Sequence, residues 1–176
     1  MIVRPVEARE IAALSALASA VYAQTFGASM SRADLEAQLR ETRSEDYFRQ
    51  ATVTDTILVA VIDGGIAGYV QLSDLRIPVE GAGARDQELF ALYVRSDRQG
   101  QGVGKALIGA AFAHERFKNA RNIYLDVWDE NVRARGLYER YGFHVVGRRD
   151  FVVDGRVIGR DLVMMRAALP GSTHFS

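Results

Sequence analysis

A glycine-rich run between a strand and a helix constrains this chain more than any other feature. The run is Gln99-Gly100-Gln101-Gly102-Val103-Gly104-Lys105; it follows a strand-like segment at residues 88–94 and opens a helical pattern near Val103. Glycines lack a Cβ and let successive backbone amides converge on an anion, and the first helical turn adds unpaired N–H groups and the positive end of the helix dipole. The run therefore predicts a ligand that carries a pyrophosphate.

The residues around the glycines argue against two common phosphate-binding loops. A Walker A loop has Ser or Thr after its Gly-Lys, to hold Mg²⁺, but Ala106 follows Lys105 here. The dinucleotide fingerprint G-x-G-x-x-G fails in both frames, because Lys105 and Leu107 stand where the third glycine is required. Nucleotide hydrolysis and NAD or FAD binding are therefore not expected. A glycine-rich turn without a ligand is the alternative to a pyrophosphate site.

Composition favours one domain and removes several kinds of site. The chain has 176 residues, of which 48% are hydrophobic and three are proline, which predicts a single domain over residues 1–168 and a loose tail over 169–176. Lys plus Arg equals Asp plus Glu at 22 each, so no overall field attracts nucleic acid or an anionic membrane. There is no cysteine, and the three histidines are scattered, so we expect no disulfide, no thiolate nucleophile and no metal site.

The sequence also favours a cytoplasmic protein. Its first residues, Met1-Ile2-Val3-Arg4-Pro5, lack the basic and apolar regions of a signal peptide. No uninterrupted apolar run is long enough to cross a bilayer. We therefore expect neither a membrane nor nucleic acid as partner.

Hydrophobic periodicity predicts alternating helices and strands in a mixed α/β fold. Helices are predicted over 8–26, from Ser31 to about 48 with an interruption at 42–44, from 103 to Phe117, and over 132–141. Strands are predicted near 2–5, at 56–62 and 66–72 around Asp63-Gly64-Gly65, at 88–94, at 123–128, and at 143–153 and 156–166 around Asp154-Gly155. The helix from 103 and the strands on either side of it form a βαβ unit, in which the two strands are parallel.

A second motif follows the glycine run. Residues 131–143 read Asn-Val-Arg-Ala-Arg-Gly-Leu-Tyr-Glu-Arg-Tyr-Gly-Phe, and this matches the pattern Asn-x-x-Ala-x-x-Leu-Tyr-Glu-x-x-Gly-Phe of the GNAT acetyltransferases. The spacing Gln-x-x-Gly-x-Gly at residues 99–104 is similar to the coenzyme A loop of the same superfamily. The resemblance implies a strongly twisted mixed sheet of about seven strands with helices on both faces, and acetyl-CoA as cosubstrate without a metal.

The resemblance also implies which residues hold the coenzyme. The backbone of Leu92, Tyr93 and Val94 would pair with the pantetheine arm like an added strand, and the Val94 amide would polarise the thioester carbonyl. The Asn131 side chain would bond the pantetheine, with a plain helix N-cap as the alternative. The pyrophosphate would bind the amides of the loop, which are those of Gln99, Gly100, Gln101, Gly102, Val103, Gly104 and Lys105.

Tyr138 is the candidate general acid. Its spacing alone favours a core tyrosine, but in the motif it stands where the departing CoA thiolate needs a proton. A phenol, with a reference pKa near ~10, stays protonated at neutral pH and can donate.

Glu88 is the candidate general base, because in the histone-acetylating branch of the family a glutamate at the corresponding strand position accepts the proton of the amine through water. Strand alternation puts Glu88 on one face with Phe90, Leu92 and Val94, which permits a position in the cleft. An exposed carboxylate at the strand end is the alternative.

The acceptor is expected to be a primary amine that enters between the amino-terminal helices and the last hairpin. A weaker similarity to the bacterial spermidine/spermine acetyltransferases, at residues 22–26, 88–94 and 161–165, favours a polyamine or another small amine. A protein N-terminus, a lysine or an aminoglycoside is the alternative within enzymes, and a non-catalytic acyl-CoA-binding module is the alternative outside them. The family also implies a homodimer through the last strands.

Overall fold

The computed structural model describes residues 1–153 and 155–167, which form one sheet with helices on both faces. Asp154 of the last predicted turn, Ala168 and the predicted tail over 169–176 lie outside the described residues. The strands are β1 (Ile2–Pro5), β2 (Thr56–Ile62), β3 (Gly65–Asp74), β4 (Asp86–Val94), β5 (Asn122–Trp128), β6 (His144–Val153) and β7 (Arg156–Ala167). The helices are α1 (Ile11–Phe26), α2 (Arg32–Arg43), α3 (Glu45–Thr54), α4 (Val103–Ala113), α5 (Glu115–Lys118) and α6 (Val132–Arg140).

The sheet has seven strands in the order β1-β2-β3-β4-β5-β7-β6. Only β4 and β5 run parallel, with α4 between them along the chain, and every other neighbouring pair is antiparallel. This confirms the predicted mixed sheet and the predicted βαβ unit. It also places the end of β4, and hence the glycine run, in the middle of the sheet.

Two apolar layers cover the two faces of the sheet. On one face, Leu107 and Ile108 of α4 pack with Tyr138 of α6 in a buried cluster. On the other face, Leu14 of α1 and Phe48 of α3 belong to a second cluster. Because each central strand contributes alternate residues to the two clusters, its sequence reads as a continuous apolar run.

Side-chain caps set the helix boundaries. Ser31 Oγ accepts from the amide of Asp34 at 3.1 Å, and Ser44 Oγ accepts from the amide of Tyr47 at 3.2 Å, so the predicted interruption at 42–44 is a break between α2 and α3. The prediction that the helix from 103 extends to Phe117 is wrong. It ends at Ala113, because His114 takes an extended conformation and caps the short α5.

By length and mean hydropathy alone, the segment Ala8–Ser29 could cross a membrane, contrary to the expectation that no run is long enough. The helix passes that test because alanines, which count as apolar, fill much of its outer face. Its large apolar side chains, such as Leu14, Leu17 and Val21, are buried against the sheet. This is the arrangement of a helix that packs one face on a sheet.

Candidate active site

The glycine loop leads directly into the first turn of α4. Gly100 and Gly102 have φ values of 79° and 81°, a left-handed conformation that costs a residue with a Cβ about 1–2 kcal/mol. Gly102 is the N-cap of α4, so the next three amides have no preceding helical carbonyl to bond. These N–H groups and the helix dipole make the turn suited to a phosphate.

Strands β4 and β5 separate beside this loop. They pair only from Asp86 to Glu88 of β4, although β4 continues to Val94 and β5 to Trp128. Beyond Glu88, the edge of β4 that faces β5 has no strand partner within the described chain, while its other edge pairs with β3. A ligand with a strand-like amide backbone can therefore bond the open edge.

A cavity of about 480 Å³, here called the donor cavity, lies between the loop, the separated strands and α6. It brings together most of the residues that the resemblance assigns to the coenzyme. Those that line it are Leu92, Tyr93, Val94, Gln99, Gly100, Gly102, Val103, Gly104, Lys105, Asn131 and Tyr138. Gln101 does not line it, because its side-chain amide turns away and donates to the carbonyl of Asp97 at 3.0 Å.

Four basic residues line the donor cavity, namely Arg98, Lys105, Arg133 and Arg140. Arg133 donates to Oε1 of Gln99 and so ties α6 to the loop. No carboxylate lines this cavity within the described chain, so its field is positive and favours a polyanion. Sequence reasoning missed the three arginines, although Arg133 and Arg140 fall inside the second motif, at positions that its pattern leaves free.

Asn131 and Tyr138 are both positioned by α6. Asn131 is the N-cap, with its Oδ1 accepting from the amide of Ala134 at 3.1 Å, so the predicted cap is confirmed and the Nδ2 donors are left for a ligand. Tyr138 is 7% exposed and packs edge-on against Phe143, with 5.9 Å between ring centroids. Burial raises the pKa of Tyr138 above its ordinary value, so the phenol holds its proton at neutral pH.

The predicted alternation along β4 is wrong because of a β-bulge. Phe90 is an extra residue between two successive pairs with β3, and a bulge shifts the following side chains to the opposite face. Leu92 and Val94 therefore pack with α4, while Phe90 packs with the cluster under α1 and α3. Glu88 does not share a face with Leu92 and Val94, and it does not line the donor cavity.

Glu88 is buried rather than exposed, with 5% of its surface accessible. Its Oε2 accepts from the backbone amides of Arg76 at 2.7 Å and Ile77 at 3.2 Å. Burial raises the pKa of Glu88, and these two hydrogen bonds act against that rise. Glu88 is also among the charges that raise the pKa of Asp126, so both carboxylates act in one electrostatic environment.

A second cavity of about 210 Å³, here called the acceptor cavity, lies under α1 and α2 and against the β6–β7 hairpin. This is the place where the acceptor was predicted to enter. Tyr93 lines both cavities, and α1 contributes Thr25 to the donor cavity and Phe26 to the acceptor cavity. The two cavities are therefore neighbours across one residue of β4.

Among the described residues, three charged side chains line the acceptor cavity: Arg43, Asp126 and Asp161. Burial raises the pKa of Asp126 to about 6, although Arg149 lies 2.8 Å from its Oδ2 and opposes the rise. Burial also raises the pKa of Asp161 to about 6, and the charge of Asp126 adds to that effect. Sequence reasoning found none of the three, since no local pattern links residues so far apart in the chain.

Comparison with known proteins decides the family. Residues 22–143 match the model of the Acetyltransferase (GNAT) family. The chain belongs to the GNAT acetyltransferase family. This GNAT enzyme is therefore an acyltransferase, as the two motifs and their shared cavity indicate.

Relatives and solved structures agree with that family. An uncharacterised N-acetyltransferase of Mycobacterium tuberculosis is 33% identical over 135 residues, which cover 75% of this chain and 78% of the relative. A probable spermine N(1)-acetyltransferase of Bacillus subtilis subsp. natto is 36% identical over 65 residues, 36% of this chain and 42% of the relative. The PaiA N-acetyltransferase of Thermoplasma acidophilum, solved in complex with coenzyme A, matches with a TM-score of 0.75 at 22% identity, over 94% of this chain and 98% of that chain. This last likeness shows the fold.

Proposed function

We propose that this GNAT enzyme transfers the acetyl group of acetyl-CoA directly to the primary amine of a small molecule. The observation that carries the proposal is the donor cavity. It joins the glycine loop, the open edge of β4 and the buried Tyr138, and it meets the acceptor cavity at Tyr93. One ligand could bind the loop with its pyrophosphate and β4 with its amide arm.

The residues of the donor cavity suit the proposed reaction. The Val94 amide would polarise the thioester carbonyl while the amine nitrogen attacks its carbon, and Tyr138 would give its proton to the departing sulfur. Because burial raises the pKa of Tyr138, the phenol is protonated when the transfer begins and re-protonates readily afterwards.

We propose Glu88 as the group that accepts the proton of the amine through water, with Asp126 as the alternative. Glu88 has a pKa raised by burial; it lines neither cavity, but its charge acts on Asp126, which lines the acceptor cavity. A pH–rate profile of Glu88→Gln tests this assignment. We expect the acidic limb of kcat, which reports the enzyme with its substrates bound, to be lost; a limb of kcat retained at the wild-type pH would transfer the role to the aspartates.

Thiol release from acetyl-CoA in the presence of an amine panel tests the function itself. The panel holds alkylamines, polyamines, amino acids, an aminoglycoside and a peptide with a free N-terminus. We expect release with at least one small amine and little with the peptide, because a cavity of about 210 Å³ has room for a small molecule. Tight binding of acetyl-CoA with no release for any acceptor would instead indicate a non-catalytic acyl-CoA-binding module.

We also propose that two copies associate along β6. This strand is an edge of the sheet, and Val145, Val146 and Val152 are exposed on it, at 43%, 45% and 48%. An unpaired edge with apolar side chains is a surface that a second strand can cover. Light scattering should give the mass of a dimer for the natural chain and that of a monomer for Val146→Lys; a monomer in both would contradict the proposal.

A further inference from the structure

The acceptor cavity contains a buried cation that no acidic side chain of the described residues neutralises. Arg43 is 8% exposed and lines this cavity. Within the described chain, no carboxylate lies within 4.0 Å of its guanidinium. Its Nε is buried without a hydrogen-bond partner. Burying an unpaired charge is unfavourable, so such a residue calls for a counter-charge.

The surroundings of Arg43 hold it in place without neutralising it. The guanidinium lies over the Tyr22 ring, 3.9 Å from the centroid, and donates to the Thr42 hydroxyl and, at 3.4 Å, to Oη of Tyr93. Stacking on an aromatic face fixes the plane of the guanidinium and stabilises its charge. A fixed, positively charged plane at the wall of a cavity can bind a carboxylate through two parallel hydrogen bonds.

Carboxylates lie farther across the sheet in the same cavity. Arg43 reaches β4 at Tyr93, whereas Asp126 lies on β5 and Asp161 on β7, and these strands are successive neighbours in the sheet. Asp126 Oδ1 is also buried without a hydrogen-bond partner. Proteins leave few buried polar atoms without a hydrogen-bond partner. In this cavity, Arg43 and Asp126, which carry opposite charges, each have one such atom.

We propose that the acceptor is a small zwitterion, whose primary ammonium binds Asp126 and Asp161 and whose carboxylate binds Arg43. This inference rests on the proposed function and names its substrate class. Aromatic side chains that line the same cavity, such as Phe90 and Trp128, would contact the hydrocarbon part of the molecule. A polyamine offers no anion to Arg43 and would place a further cation beside it.

Matched acceptors of equal length test the inference. The panel holds ω-amino acids from β-alanine to ε-aminocaproate, with the alkylamine and the diamine of each length. In the natural chain we expect the best amino acid to exceed its alkylamine by about 30-fold in kcat/KM, the usual size of one buried charge contact, and the diamine to be poorest. A preference for the diamine, or equal rates for all three, would overturn the inference.

Variants of Arg43 then locate the carboxylate. Arg43→Met should bring the ratio of amino acid to alkylamine close to one, and the ratio is read within each variant so that any change in overall rate cancels. Arg43→Lys, which keeps the charge, should retain part of the preference for the amino acid. It keeps the test valid if the methionine variant does not fold. Arg40→Met is the matched control, because Arg40 is exposed on the same helix, and should keep the natural ratio. An unchanged ratio in Arg43→Met would overturn the assignment.

Calorimetry separates this inference from the proposed function. Binding of the best ω-amino acid to the natural chain, and its loss in Arg43→Met, would support carboxylate recognition even if no acetyl group were transferred. Thiol release with alkylamines, without any advantage for the amino acid in rate or binding, would leave the acetyltransferase intact and contradict the zwitterion.

Discussion

The two cavities of this GNAT enzyme are lined by different kinds of groups. The donor cavity is lined by the glycine loop and the end of β4, which leave backbone groups without helix or strand partners, and its charged side chains are basic. The acceptor cavity is built from side chains of α1, α2, β4, β5, β6 and β7, and it holds charges of both signs. A backbone site can serve one invariant cosubstrate, while a side-chain site can change its acceptor by substitution. The difference predicts that substitutions in the acceptor cavity leave the binding of acetyl-CoA unchanged, and that substitutions in the donor cavity leave the binding of the amine unchanged.

The largest effect is expected from Tyr138→Phe. Loss of a general acid lowers turnover by about 10²–10⁴-fold, and we expect kcat to fall within that range while the Kd of acetyl-CoA changes less than about twofold. Tyr141→Phe is the control, since Tyr141 ends the same helix and packs on Phe112 with 5.9 Å between centroids. Stopped-flow or steady-state rates with calorimetry measure both quantities. Near-normal turnover of Tyr138→Phe would remove the phenol from the mechanism.

Gly102→Ala should weaken the donor side alone. Its φ of 81° strains any residue with a Cβ, so we expect the free loop of the variant to leave this conformation; restoring it on binding costs about 1–2 kcal/mol, which raises the Kd of acetyl-CoA about tenfold. Gly109→Ala is the matched control in the same helix, because a Cβ there would contact nothing within 4 Å. It should keep the natural Kd and raise stability by up to about 1 kcal/mol. Equal Kd values for Gly102→Ala and the natural chain would show that the loop geometry does not hold the coenzyme.

Asp126→Asn should alter the acceptor side and its pH dependence. In the natural chain both aspartates, with pKa values raised to about 6, are charged above that pH, so kcat/KM for an amine should fall as the pH drops below about 6. Because the charge of Asp126 raises the pKa of Asp161, its removal should move this limb to lower pH. The KM for the amine should rise about tenfold, the effect of losing one charged contact.

The control for this variant is Asp150→Asn on β6, a carboxylate that does not line the acceptor cavity. It should keep both the natural KM and the natural acidic limb. If the acidic limb of kcat/KM lies at the same pH in Asp126→Asn as in the natural chain, the charge of Asp126 does not influence the titration of Asp161 at the acceptor site.

The smallest effect is expected from Arg156→Ala. Arg156 of β7 pairs with the buried Asp34 of α2 and so fastens the last hairpin over the acceptor cavity. The arginine is largely exposed, and such pairs contribute roughly 0.2–1 kcal/mol. We expect the KM for the amine to rise about twofold with the Kd of acetyl-CoA unchanged. A change in the Kd of acetyl-CoA instead would show that the acceptor cavity and the donor cavity are energetically coupled.

The residues of the donor cavity could be predicted from the sequence because they lie close together in the chain. The glycines, the N-cap Asn131 and Tyr138 each stand in a short motif whose spacing is fixed by one turn or one helix. The hairpin between β2 and β3 was readable for the same reason, since Asp63 and Gly64 take the positive φ values, 52° and 77°, that a tight turn needs.

The residues of the acceptor cavity and the position of Glu88 could not be predicted from the sequence, for two physical reasons. Arg43, Asp126 and Asp161 meet only through long-range packing and strand order, which no periodicity encodes. The position of Glu88 was misjudged because the bulge at Phe90 changes the alternation of β4, and an inserted residue leaves no signal in a continuous apolar run.

Initial-rate kinetics with both substrates varied test the central claim most directly. If the donor and acceptor cavities are filled together and the acetyl group passes directly between their ligands, double-reciprocal plots should intersect, and coenzyme A should inhibit competitively against acetyl-CoA. Parallel lines, or an acetylated protein detected by mass spectrometry after incubation with acetyl-CoA alone and then discharged by the amine, would contradict direct transfer.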